Sequence, residues 1–157
     1  MKHENYLIGV NKTWLKSDKY SEILHCRLAI MEEVGEIIGW YKKIYGYKRP
    51  RDKRFRIGIK GEFGDLIYYI TKLFSIIDRN EVIEYDFEVE IEKQDINLIQ
   101  HLVEMNRFAT QISEFNDTSD MFENSLDGLF NYTRLLISHE DFEFEDIIIS
   151  NLEKKKK

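Results

Sequence analysis

The chain has 157 residues, 43% of them hydrophobic and 13% aromatic, which excludes a disordered polymer and suits a single domain spanning 1–157 with a substantial core. The formal net charge is −6, and Cys26 is the only cysteine, so an internal disulfide framework is excluded and a reducing compartment is expected. No apolar run approaches the roughly 18 residues of a membrane span, and the opening "MKHENYLIGVNKTW" has no signal-peptide core; the expectation is a soluble, cytoplasmic protein with no membrane partner.

In chain order, Tyr6, Val10 and Trp14 predict an opening helix. Ile23, Ile30, Val34, Ile37, Ile38, Tyr41 and Ile44 then recur at helical spacing, with Ser17 or Asp18 as N-cap. Pro50, the only proline, breaks the chain in "YGYKRPRDKR". Ile59, Phe63, Leu66, Ile67, Ile70 and Phe74 mark the next helix. In "VIEYDFEVEIE" acids alternate with Tyr85, Phe87, Val89 and Ile91, and a helix would stack Glu84, Glu88 and Glu92 at repulsive spacing. That segment is therefore expected to be an extended connector, available for pairing across an oligomer interface. Ile96 to Ile112, "SDMFENSLDGLFNYTRLLI" and "FEDIIISNLEK" predict three further helices. The fold class is all-α, an antiparallel bundle of about four to six helices.

Two segments carry the chemistry. "EEVGEIIGWYKK" and "KGEFGDLIYYITKL" match Glu33 to Glu62, Gly35 to Gly64, Glu36 to Asp65 and Lys43 to Lys72. Acids three residues apart share a helix face, so antiparallel packing of the two helices brings four carboxylates together. Glycine inside a helix costs about 1 kcal/mol relative to alanine. Gly35 and Gly64 are expected to justify that cost by letting the two backbones approach. Four converging carboxylates repel unless neutralised, and hard oxygen donors select magnesium, manganese or calcium over zinc. Between Lys42 and Lys60 nine basic residues face one acid, a local balance of +8 against −14 for the remainder. An acidic protein with one basic stretch is a poor nucleic-acid binder, and the stretch is expected to be a cationic lid for a phosphorylated ligand. Acids, divalent ion and lid together indicate phosphate-ester or anhydride chemistry.

At these residues the chain resembles the MazG-like nucleoside triphosphate pyrophosphohydrolases. "EEVGE", a basic loop and "EFGD" are similar to that family's EExxE…ExxD pattern, and "DIIISNLEKK" is similar to its terminal Asn-x-x-Lys signature. The resemblance implies hydrolysis of a nucleoside triphosphate to the monophosphate and pyrophosphate, with Mg2+ or alternatively Mn2+, by a homodimer or homotetramer. It implies Glu33, Glu36, Glu62 and Asp65 as metal ligands, and Glu32 or Glu36 as the group that takes a proton from water. Lys43, Asn151 and Lys154 would contact phosphates, and Tyr69 would line the nucleotide pocket. Lys155 departs from the family, standing where a leucine is usual, and segment 84–115 is longer than in minimal members. Dimeric dUTPases share the scheme, so uridine nucleotides stay open as substrates.

Two rival classes are weaker. A di-iron carboxylate bundle expects two Glu-x-x-His motifs, and the chain has one, Glu22 with His25. A non-enzymatic helical interaction module fits the amphipathic stripes but leaves the duplicated acid–glycine–acid arrangement without a purpose.

Overall fold

The computed structural model describes residues 1–157 and contains seven helices and no strand. They are α1 (His3–Thr13), α2 (Lys19–Tyr45), α3 (Lys53–Ile76), α4 (Glu81–Glu88), α5 (Leu98–Glu114), α6 (Asp120–His139) and α7 (Phe144–Lys155). The all-α bundle expected from the spacing is present, with one helix more than anticipated. Side-chain caps set the helix starts: Asp18 accepts from the Ser21 amide, Asp52 from Phe55, Asn97 from Gln100 and Ser119 from Phe122. Asp18, rather than Ser17, is the cap of α2.

α2 and α3 form the most extensive helix pair, joined by the loop that carries Pro50. They run antiparallel: Tyr41 meets Phe55, with ring centroids 5.9 Å apart, while Trp40 lies over Gly58 and Glu33 approaches Asp65. The α5–α6 hairpin closes the bundle, α5 against α2 and α6 against α3, and α1 and α7 cover the remaining side of α3. Tyr6, Phe63, Phe74, Phe122 and Phe130 are fully buried in the shared core. No helix is long and apolar enough to cross a membrane.

The extended connector expected at 84–92 is a correction. Its first half belongs to α4, and the part from Val89 onward has no regular secondary structure. Helix wins because Ile83 and Phe87, one turn apart, are both buried, the Phe87 ring lying 5.4 Å from Tyr6 and 5.9 Å from Phe130. Glu84 and Glu88 project into water, where their repulsion is screened. Arg134 of α6 is buried and donates to the carbonyls of Asp86 and Val89, which stops α4 at its negative end. Arg134→Met is expected to destabilise the protein by about 2–4 kcal/mol, two charge-assisted hydrogen bonds being lost in a buried setting; urea unfolding measures it.

Candidate metal centre

The antiparallel register puts acids of α2 opposite acids of α3. Glu33, Glu62 and Asp65 each offer a carboxylate oxygen, and the three oxygens lie within 4.8 Å of one another. Glu33 and Asp65 are buried, at 8% and 5% exposure. Glu33 Oε2 is enclosed and has no hydrogen-bond partner. A buried carboxylate oxygen left in this condition carries a desolvation cost of several kcal/mol when ionised. An all-oxygen donor set with an orphaned buried oxygen suits a hard divalent cation, and Glu33, Glu62 and Asp65 are the residues that could hold it.

The electrostatics divide the three acids. Burial, then Asp65, Glu62, Glu36 and Glu32, pushes the Glu33 carboxyl up to about 8. Burial also raises Glu62, which shares a hydrogen bond with Glu36; the Trp40 indole N–H, donating to Glu62 Oε1 at 3.2 Å, opposes the shift. Burial alone would raise Asp65, but Lys154 and Lys155 outweigh it and hold the carboxyl below its ordinary value. Lys154 Nζ lies 2.5 Å from Asp65 Oδ2, Lys155 Nζ 3.1 Å from Oδ1, and Asn151 Nδ2 donates to Oδ1 at 2.8 Å.

The other anticipated residues fall at different distances from this centre. Glu36 sits exposed at the rim, beside Glu62 and outside the close trio, and Glu32 is exposed one turn before it. Asn151 is buried at the junction of α7 and α3 and accepts a 3.5 Å hydrogen bond from Tyr6. Tyr69 is half-buried one turn beyond Asp65, near Trp14, with Lys155 Nζ 5.3 Å from its ring centroid. Lys43 makes no ion pair with the carboxylates: its Nζ lies on the face of the Trp40 ring, 4.0 Å from the centroid. Its sequence counterpart Lys72 is buried two turns past Asp65 and donates to Asn11 at 2.9 Å.

The glycine expectation needs correcting. A Cβ on Gly35 would meet nothing within 4 Å, so this glycine does not mediate the approach of α2 to α3. A Cβ on Gly64 would lie 2.9 Å from Asn151 Cβ, so that glycine admits α7, not α2. The contact that does require a missing side chain between α2 and α3 is at Gly58, where a Cβ would fall 2.0 Å from Trp40 Cζ2. Gly35→Ala is therefore expected to stabilise the protein by about 0.5–1 kcal/mol, and Gly64→Ala to destabilise it by about 1–3 kcal/mol. Paired denaturant titrations measure both.

The basic loop is partly committed to structure. Arg51 binds both oxygens of buried Glu140 at 2.8 and 2.9 Å, and Arg56 donates to the Glu140 carbonyl. Lys48, Arg49, Lys53 and Arg54 are exposed and make no ion pair. A cavity of about 1050 Å3 between α1, the 87–93 segment and the start of α7 has none of Glu33, Glu62 and Asp65 in its wall.

Three residues take a part at this centre that the sequence did not assign them. Trp40 lies one turn after Glu36, which puts it on the acid-bearing face of α2. Gly58 lies one turn before Glu62 on α3 and gains meaning only once Trp40 is seen above it. Lys155 reads as a departure from a family pattern, yet its ammonium pairs with Asp65. Compared with family models, with curated proteins and with solved structures, the chain has no match.

Proposed function

We propose that the chain is a metal-dependent nucleoside triphosphate pyrophosphohydrolase, releasing the monophosphate and pyrophosphate. The observation that carries this reading is the trio Glu33, Glu62 and Asp65, buried together with an orphaned Glu33 oxygen. Magnesium is the expected ion and manganese the alternative; held there, it supplies charge neutralisation and a water of lowered pKa. Glu36 or Glu32, both exposed on α2, would accept a proton from an attacking water. Lys154 and Lys155 bring two positive charges to Asp65 from the last turn of α7. The unpaired cations Lys48 and Arg49 of the loop and Lys53 and Arg54 at the start of α3 would raise the local concentration of a polyanionic substrate.

The test is release of pyrophosphate across all ribo- and deoxyribonucleoside triphosphates, with Mg2+ or Mn2+ and in excess chelator. Heavy-oxygen water is expected to label the monophosphate. Label in pyrophosphate, orthophosphate as the product, or turnover in chelator would each reject the reading.

The same reading includes self-association as a homodimer or homotetramer. Leu24, Leu28 and Met31 form an exposed apolar stripe on α2, continued by the open surface at Gly35 and Gly39. Light scattering at micromolar concentration is expected to give at least twice the chain mass of 18.9 kDa. An active monomer would reject this part alone.

A further inference from the structure

Glu62 differs from its two neighbours in how it is held. Asp65 is fixed by three donors from α7, and Glu33 Oε2 has none. Glu62 receives a hydrogen bond from Trp40, a residue of the opposite helix, and shares another with Glu36 at the rim. The bond from Trp40 depends on a fitted contact. The six-membered edge of the indole lies directly over Gly58, where any β-carbon would collide with the ring, and Lys43 lies on the ring face. Phe55 meets the same ring edge-on, centroids 6.3 Å apart. The ring is thus held on several sides while its one polar atom points at a carboxylate of the trio.

We propose that Trp40 is the positioning residue for Glu62: its N–H fixes the plane of that carboxylate towards Glu33 and Asp65, and Gly58 is the notch in α3 that admits it. The inference rests on the metal-centre reading. A donor that orients a ligand carboxylate typically contributes 10–100-fold to metal affinity. Trp40→Phe keeps the ring and removes the N–H, whereas Gly58→Ala keeps the N–H and displaces the ring.

Mn2+ binding measured by calorimetry, beside the melting temperature of the metal-free protein, tests the assignment. Trp40→Phe and Gly58→Ala are each expected to weaken Mn2+ binding about tenfold or more. In a Glu62→Gln background Trp40→Phe is expected to add no further loss, since the two changes act on one carboxylate. Unchanged Mn2+ affinity in Trp40→Phe, with the wild type binding normally, overturns the positioning role and leaves the metal centre standing. An undiminished loss in the Glu62→Gln background overturns it also, because the indole would then act through packing alone. A wild-type chain that binds no Mn2+ overturns both readings.

Discussion

Asp65→Asn is expected to lower pyrophosphohydrolysis by about 10³-fold or more, because a ligand carboxylate accounts for several kcal/mol of charge stabilisation at a metal centre. Initial rates at saturating Mg2+ measure it, and retention of most activity would remove Asp65 from the ligand set. The stability effect is the informative companion. From repulsion among four acids alone, neutralising Asp65 should stabilise the metal-free protein. The structure reverses that sign. Asp65 is the one acid of the trio with cationic partners, and amidation leaves Lys154 and Lys155 without a counter-charge. Metal-free Asp65→Asn is therefore expected to lose about 1 kcal/mol, a modest figure because Lys154 is more than half exposed and its charge is screened by water. Chelator-treated protein in a urea titration gives the measurement.

Glu33→Gln is expected to do the opposite, and to do it in a pH-dependent way. The ordinary Glu33 value is 4.5 and the folded value is about 8, so between these limits the folded protein holds a proton that the unfolded chain has released. Stability from this group is fully present below 4.5 and is lost as pH rises through 8, at up to about 1.4 kcal/mol per pH unit inside the window. Glutamine does not titrate. In excess chelator the variant and wild type should melt together near pH 4.5, and the variant should melt higher at pH 8.5, by about 10 °C or more. On the proposed metal-centre reading, added Mg2+ is expected to reverse the comparison, since binding would displace the Glu33 proton and strengthen from pH 6 to 8, while the variant would bind weakly throughout. A constant difference between the two melting curves across pH would show that Glu33 is ionised at neutral pH.

The helical spacing of apolar residues was enough to place α2, α3, α5, α6 and α7, because each buries one continuous face, and α2, α3, α5 and α6 each start at a side-chain cap. α4 was illegible for a physical reason: eight residues contain two turns, and an alternating acid pattern over that length fits a strand as well as a helix. The arbiter is the pocket that receives Ile83 and Phe87, made of residues from α1, α6 and α7 far away in the chain.

For the centre itself, spacing by itself determined that Glu33 and Glu36 share one face of α2 and that Glu62 and Asp65 share one face of α3, since three-residue separation forces a shared face whatever the rest of the fold does. Which of them close on one point was decided by tertiary structure. The register of α2 on α3 sinks Glu33 and Asp65 and leaves Glu36 at the rim, and that register depends on Trp40 seating over Gly58. The charge state of each acid was equally a tertiary matter: α7 returns from the far end of the chain to neutralise Asp65, while no donor reaches Glu33 Oε2. Burial and partner distance set carboxylate energies, and neither is a property of the local sequence.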